Sequence, residues 1–104
     1  MVTVIVKIKL PDAITKLQAQ EIFLSTAPKY RGMPGLIRKY YFLDEDGITA
    51  GGIYLWKSRA DADHLYTNEW KSFVHGKYGS DPVLTYLETP VIVDNVSNEI
   101  ISTP

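Results

Sequence analysis

The stretch Thr49-Ala50-Gly51-Gly52-Ile53-Tyr54-Leu55-Trp56 predicts a central β-strand. Its second half consists of large aliphatic and aromatic residues, which fit the pleated surface of a sheet. Alternate residues of a strand point to opposite faces. One face therefore carries Ala50, Gly52, Tyr54 and Trp56, and the other carries Thr49, Gly51, Ile53 and Leu55. Neither set is polar, which predicts a strand that is covered on both sides.

Two adjacent glycines interrupt this strand. Glycine weakens a strand because it has no side chain to pack and more backbone freedom to lose on folding. Gly51 and Gly52 therefore predict close approaches. One is expected to leave room beside Tyr54 and Trp56 for a helix or a ligand ring, and the other to face a second copy of the chain.

Hydrophobic periodicity and turn residues place four strands and two helices along the chain. The predicted strands are 2–10, 36–43, 49–56 and 83–93, and the predicted helices are 14–30 and 59 to about 75, the second capped by Ser58. Asp-Gly at 46–47 predicts a hairpin between the second and third strands, and Pro90 predicts an edge, bulge or bend in the last. The order β-α-β-β-α-β predicts an α+β, ferredoxin-like domain over residues 1–96: a four-stranded antiparallel sheet with both helices on one face. Residues 97–104 are expected to form a C-terminal tail.

Composition narrows the class of protein. The chain has 104 residues, a net charge of −1 and no Cys, which excludes a disulfide scaffold and a thiolate nucleophile. Its basic residues are scattered, which is not typical of nucleic-acid binding. It has no apolar run of membrane length and no signal-peptide pattern, so a cytoplasmic protein without membrane contact is expected. A small domain with an open sheet face also predicts a homodimer.

Aromatic residues are the unusual count, with 7 Tyr, 2 Trp and 3 Phe. Most are expected in the core or an interface, and some can form the walls of a pocket. The candidate substrate-binding residues are Gln20, Phe23, Tyr54, Trp56, Tyr66 and Trp70. Gln20 falls near the middle of the apolar arc of the first helix, which predicts a buried amide. That amide either bonds to nearby backbone or a Tyr hydroxyl, or serves as a polar contact in a pocket.

His64, Arg38 and Tyr30 are the candidate catalytic residues, because they can take a proton or hold an anion. A helical wheel places His64 on the polar side of the second helix, and a break near Thr67-Asn68 would rotate it inward. Arg38 shares a strand face with Tyr40, where it can either hold an anion or pair with a carboxylate across a dimer.

Three segments resemble a known family. They are Met33-Pro-Gly-Leu-Ile-Arg-Lys-Tyr40, the stretch Thr49–Trp56, and Tyr86-Leu-Glu-Thr-Pro-Val-Ile-Val-Asp94. The chain resembles the ydhR-type monooxygenases of the dimeric α+β barrel superfamily, which are related to the antibiotic-biosynthesis monooxygenases. The resemblance extends over residues 2–96 and implies a ferredoxin-like homodimer.

The resemblance also implies a function. It suggests a cofactor-independent monooxygenase, with no metal, that acts on a small aromatic substrate such as a phenol or hydroquinone in an aromatic-lined pocket. Two alternatives stay open: a non-catalytic small-molecule-binding or stress-response protein, and an isomerase or cyclase that uses the same pocket. Haem-degrading members of the superfamily use an Asn on the first strand, and residues 2–10 contain none.

Overall fold

Helices and strands follow one another in the predicted order in a computed structural model, which describes residues 1–102. The second predicted helix is divided in two, and a short hairpin is added at the C-terminal end. The elements are β1 (Val2–Lys9), α1 (Lys16–Tyr30), β2 (Leu36–Leu43), β3 (Thr49–Trp56), α2 (Arg59–Leu65), α3 (Asn68–Tyr78), β4 (Val83–Glu88), β5 (Val91–Asp94) and β6 (Glu99–Ser102).

The main sheet confirms the predicted architecture. Its four strands lie in the order β2-β3-β1-β4, and every neighbouring pair is antiparallel. β3 pairs with β1 on one side and with β2 on the other, so the predicted central strand lies inside the sheet. The register sets Val4 opposite Tyr54 and Val6 opposite Gly52, which puts the bulky side chains of the two strands on one face.

That face is covered by all three helices and forms the core. Val4 and Val6 of β1 and Trp56 of β3 have at most 1% of their surface exposed. The helical members of the same cluster are Tyr30, Ala62, Trp70 and Val74, joined by Tyr66 from the α2–α3 junction. The opposite face carries partly exposed apolar residues, among them Ile5, Phe42, Ile53 and Leu55.

The second predicted helix is broken because a cap interrupts it. Tyr66 leaves the helical conformation (φ −81°, ψ 54°), and the Thr67 hydroxyl accepts a hydrogen bond from the Trp70 N–H, which starts α3. A side-chain acceptor of this kind competes with the i−4 carbonyl for that amide. The break does not bring His64 inward: it is exposed at the end of α2, because Ala62 and Tyr66 take the two sheet-facing positions around it.

Helix α1 begins later and is rotated relative to the predicted wheel. Thr15 caps it through a capping box with Gln18. Ala19, Thr26 and Tyr30 face the sheet, whereas Leu17 and Leu24 are 65% and 62% exposed. The prediction of a buried amide at residue 20 is therefore wrong. Because positions 19, 26 and 30 form the contact stripe, Gln20 points outward at the side of the helix.

The last predicted strand bends where Pro90 was expected to disturb it. β4 ends at Glu88, and β5 resumes at Val91, because proline has no N–H to continue the ladder. Residues 99–102, within the predicted tail, form β6 and pair with β5. An ion pair between Arg38 and Asp94, 3.3 Å apart, links this hairpin to β2. None of the helices within residues 1–102 is long and apolar enough to cross a bilayer.

Candidate active site

Five aromatic side chains meet on the covered face of the sheet. Tyr54 and Trp56 extend from β3, Tyr66 lies at the junction of α2 and α3, and Tyr30 and Trp70 come from α1 and α3. Successive ring centroids are 5.0–6.2 Å apart, and most of the rings meet edge to face. This spacing is within the range in which aromatic pairs attract one another beyond simple burial. All five residues were predicted from the sequence as site residues, and the fold brings them together.

The polar atoms of this cluster are satisfied within it. Trp56 Nε1 donates to the Tyr66 hydroxyl, and Trp70 Nε1 donates to the Tyr30 hydroxyl, each at 3.0 Å. Burial raises the pKa of the Tyr54 and Tyr66 phenols far above its ordinary value, so both stay neutral. These buried rings form a rigid wall, and their hydroxyl groups are poor candidates for a base.

Lys39 is the functional candidate that the sequence reasoning missed. It lies opposite Tyr54 in the β2–β3 register, so its side chain runs along the covered face. Its Nζ lies 3.5 Å, 3.8 Å and 4.5 Å from the ring centroids of Tyr30, Tyr41 and Tyr54. We call these three rings the tyrosine cage. The signal was present in the sequence, because strand alternation puts residues 39 and 41 on one face and residues 38 and 40 on the other.

Two opposing effects act on the Lys39 amine. Burial, helped by the positive charge of Lys29, lowers the pKa of Lys39 to about 7. The ring faces of the cage act in the opposite direction, because they stabilise an ammonium ion. No ion pair or hydrogen bond joins Lys39 to a side chain within residues 1–102. A basic amine is thus held against aromatic surfaces with no carboxylate of the described chain beside it.

A groove of about 610 Å³ lies between α1 and the hairpin end of β2 and β3, and none of the five aromatic residues of the cluster lines it. Its lining is mainly apolar and includes Ile14, Ala19, Gln20, Leu24 and Leu43. A second space of about 20 Å³, the inner space, lies beneath the helices and includes Lys39 and the tyrosine cage in its walls. Phe23 and Tyr41 line both volumes, and their stacked rings, with centroids 4.8 Å apart, separate the two.

Hydrogen bonding fixes the Tyr41 side of this wall. The Tyr41 hydroxyl bonds to the Thr26 hydroxyl at 2.9 Å, and Thr26 also donates to the Phe23 carbonyl. Burial raises the pKa of Tyr41, and it raises the pKa of nearby Tyr78 to about 12. The phenols of Tyr41, Tyr54 and Tyr78 are therefore weaker acids than free phenols.

Of the four other predicted site residues, two lie at the groove and two lie away from it. Arg38 is on the opposite face of the sheet, where it donates to the hydroxyl of Tyr40 and to Asp94, each at 3.3 Å. His64 is exposed at the end of α2. Gln20 is exposed but lines the groove, and Phe23 lies in the wall between groove and inner space. The fold thus gathers seven of the nine predicted residues around the groove and cluster, and it separates Arg38 and His64 from them.

Solved structures share this architecture. One is a monooxygenase from the ActVA-Orf6 gene of Streptomyces coelicolor, in complex with nanaomycin D. It is 14% identical to this chain, and the alignment covers 85% of this chain and 86% of that one, with a TM-score of 0.65. The chain shares its fold with these solved structures. An antibiotic biosynthesis monooxygenase aligns at 20% identity, with 86% and 98% coverage and a TM-score of 0.58. A mutant form of SnoaB, a cofactor-independent oxygenase from Streptomyces nogalater, aligns at 13% identity, with 85% and 91% coverage and a TM-score of 0.61.

Sequence comparison adds nothing to this likeness. No family model matches the chain, and no curated protein matches it. The structural comparison confirms the ferredoxin-like fold that the sequence resemblance implied. At identities of 13–20% it supports the fold alone.

Proposed function

We propose that this chain is a cofactor-independent monooxygenase that acts on a small phenol or hydroquinone. The carrying observation is the mainly apolar groove, closed at its inner end by Phe23 and Tyr41, that adjoins a buried amine on a fold shared with monooxygenases. The reaction balances without an added reductant. A hydroquinone and O2 give a hydroxyquinone and water, because one oxygen atom enters the ring and the other leaves as water. The substrate supplies all four electrons.

The groove offers what such a substrate needs. A flat ring can lie against Phe23 and Tyr41, the aromatic pair at the inner end of the groove, and against the aliphatic side chains of α1. Gln20 at the side of α1 can bond to a second oxygen of the substrate. Ligand sites of this kind combine mainly apolar walls with a few polar groups. Under this proposal the buried cluster of Tyr30, Tyr54, Trp56, Tyr66 and Trp70 supports the site from behind.

Oxygen consumption is the direct test. The purified protein is mixed with a panel of hydroquinones and phenols, and O2 uptake is followed with an electrode while the product is identified by mass spectrometry. Incorporation of one atom of labelled oxygen per product molecule is expected. Binding of panel members without any O2 uptake would contradict oxygenation and favour a non-catalytic binding protein.

Leu24→Trp should weaken the use of any substrate that binds in the groove. Leu24 lines the groove and is mostly exposed, so a larger ring there narrows the opening without disturbing the core. We expect KM to rise about 10-fold or more, equivalent to about 1.4 kcal/mol of lost binding, with little change in Tm. Leu17→Trp is the matched control, because Leu17 is equally exposed on α1 and does not line the groove. Equal KM values for the two variants would show that the substrate binds outside the groove.

We further propose that the exposed face of the sheet meets a second copy of the chain. That face presents Ile53 and Leu55 next to Phe42, and burial of such a surface is a common basis of two-fold dimers. Light scattering should give twice the chain mass of 11.7 kDa. Ile53→Arg should shift the protein to the single-chain mass, whereas Leu17→Arg on α1 should remain dimeric. A wild-type mass of one chain at micromolar concentration would refute this association.

A further inference from the structure

We propose that the Lys39 amine is the base that takes the hydroxyl proton of the phenolic substrate and then holds the phenolate. This inference rests on the proposed function and names the proton acceptor that it requires. In the step, the O–H bond of the phenol breaks and an N–H bond forms on Nζ. The electron pair stays on oxygen, which makes the ring electron-rich enough to react with O2. The proton returns when the second oxygen atom leaves as water.

The position of Lys39 suits this step. The inner space beside it, about 20 Å³, has room for one hydroxyl group or water molecule but not for a ring. A substrate ring in the groove would reach it past Phe23, which lies in the dividing wall and is itself only half-buried. The ring stays among aromatic surfaces while its oxygen meets the amine. The proposal requires the Phe23 side chain to rotate away from Tyr41 when the substrate enters.

The surroundings of Lys39 favour the neutral amine before the substrate binds and the ammonium afterwards. In the free protein, burial and Lys29 both disfavour a charge on Nζ. Once a phenolate lies beside it, the ammonium gains an anionic partner and keeps the three ring faces of the cage. Tyr30, Tyr41, Tyr54 and Tyr78 line the inner space with Lys39, and Lys29 acts on it from α1. Lys39 also lines a third space of about 270 Å³ together with Arg31 and Arg38.

The phenols of the cage and the two histidines fit this role less well. Burial raises the pKa values of Tyr41 and Tyr54, and the hydroxyls of Tyr30 and Tyr41 are already bonded to Trp70 and Thr26. His64 is exposed on α2, and the ring of His75 bonds to Asp81 at the surface. Within residues 1–102, Lys39 is the titratable amine that lines the inner space.

The test uses 4-cyanophenol, because its phenolate absorbs at a longer wavelength than the neutral phenol. The probe is titrated with protein at about pH 7.5, and the phenolate absorbance of the same concentration of probe without protein is subtracted. We expect a phenolate band that saturates with one probe per site for the wild type. Lys39→Met should give no such band. Lys71→Met, which removes an exposed lysine from α3, should behave as the wild type.

Lys39→Arg separates a base from a fixed positive charge, since arginine cannot accept a proton in this range. Calorimetric titration of the probe in two buffers of different ionisation enthalpy measures the protons exchanged with solvent. The wild type should release none, because Lys39 keeps the proton. Lys39→Arg should release one proton per phenolate bound. Release of a proton by the wild type would show that Lys39 only attracts the anion, and would overturn its role as a base.

The outcomes also distinguish this inference from the proposed function. A phenolate band without O2 uptake by any hydroquinone would leave Lys39 as a proton acceptor and refute oxygenation. If O2 uptake is found, we expect Lys39→Met to lower kcat/KM by about 100-fold or more, the usual range for loss of a general base. Unchanged kcat/KM in Lys39→Met, or binding of the probe without the band, would overturn the assignment of Lys39. Absence of probe binding would overturn it as well.

Discussion

Gly51→Ala is expected to abolish folding or to lower the free energy of unfolding by about 4 kcal/mol or more, which is exceptional for a single methyl group. A Cβ atom at residue 51 would overlap the carbonyl oxygen of Val6 and lie 2.9 Å from its carbonyl carbon. It would also lie 3.1 Å from Cζ of Phe42. The carbonyl belongs to β1, the other inner strand, and cannot move without breaking the pairing of β1 with β3. Denaturant unfolding followed by circular dichroism measures the loss.

Gly76→Ala provides the control for this prediction. Gly76 lies inside α3, and a Cβ there would meet no atom within 4 Å. Alanine is favoured over glycine in a helix by about 0.5–1 kcal/mol, so the variant should be slightly more stable than the wild type. If Gly51→Ala unfolds at a similar denaturant concentration to Gly76→Ala, the close approach of β1 to β3 at this position is refuted.

Gly52 has a different role from Gly51. A Cβ there would lie 2.8 Å from Tyr54 Cε1 and 3.0 Å from Lys39 Cε. Both atoms belong to side chains that can shift. The room that the sequence predicted for a helix or a ligand ring is therefore taken by the lysine of the candidate site and by one ring of its cage. On the opposite face, Gly51 lies beneath Phe42.

The second large effect is the pH dependence of stability that Lys39 should produce. Burial lowers its pKa in the folded state to about 7, from an ordinary value of 10.5. Below pH 7 the amine is protonated in both states, and the native chain bears the full cost of a buried charge. Between the native pKa of about 7 and the unfolded value of 10.5, the unfolded chain carries a proton on Lys39 that the native chain lacks, so the free energy of unfolding rises with pH. From pH 7 to pH 9 the gain should be about 2 kcal/mol, and the attraction of the cage for an ammonium reduces it.

Lys39→Met should remove this dependence and should unfold at nearly the same denaturant concentration at pH 7 and pH 9. The comparison stops near pH 9 because ionisation of tyrosines in the unfolded chain begins above it. The raised pKa values of Tyr54, Tyr66 and Tyr78 in the native state then lower stability. Lys71→Met should keep the wild-type slope. If the free energies of unfolding of Lys39→Met and the wild type change equally with pH, the attraction of the cage for an ammonium ion offsets the cost of burying the Lys39 charge.

The sequence predicted the residues of the buried aromatic cluster, but none of these five residues lines the groove. Tyr30, Tyr54, Trp56, Tyr66 and Trp70 could be selected because large aromatic residues at strand and helix spacing are expected on covered faces. Lys39 could not be selected in this way, because lysines are usually exposed. Only the register of β2 against β3 and the position of α1 above them show that its amine ends among three tyrosine rings.

Helix rotation and local breaks explain the other differences. Gln20 and Leu24 were expected on the buried arc of α1, but the apolar residues of that helix extend around more of its surface than one contact stripe can cover. Which stripe is used depends on the shape of the sheet below. In the same way, the Thr67 cap divides the second helix. The Trp70 N–H bonds to the Thr67 hydroxyl instead of a helical carbonyl, and the packing of Tyr66 and Trp70 in the core favours this arrangement.

The sequence by itself determined the sheet and its central strand, through the alternating stretch Thr49–Trp56 and the order of elements. It also determined which residues of a strand share a face, because this follows from the two-residue period of a strand and from turn chemistry. The tertiary structure decided which face the helices cover, which glycine meets backbone, and where a groove adjoins a buried amine. Those features arise from contacts between residues far apart in the chain, such as Trp70 with Tyr30 and Gly51 with Val6. No local pattern encodes the distance between them.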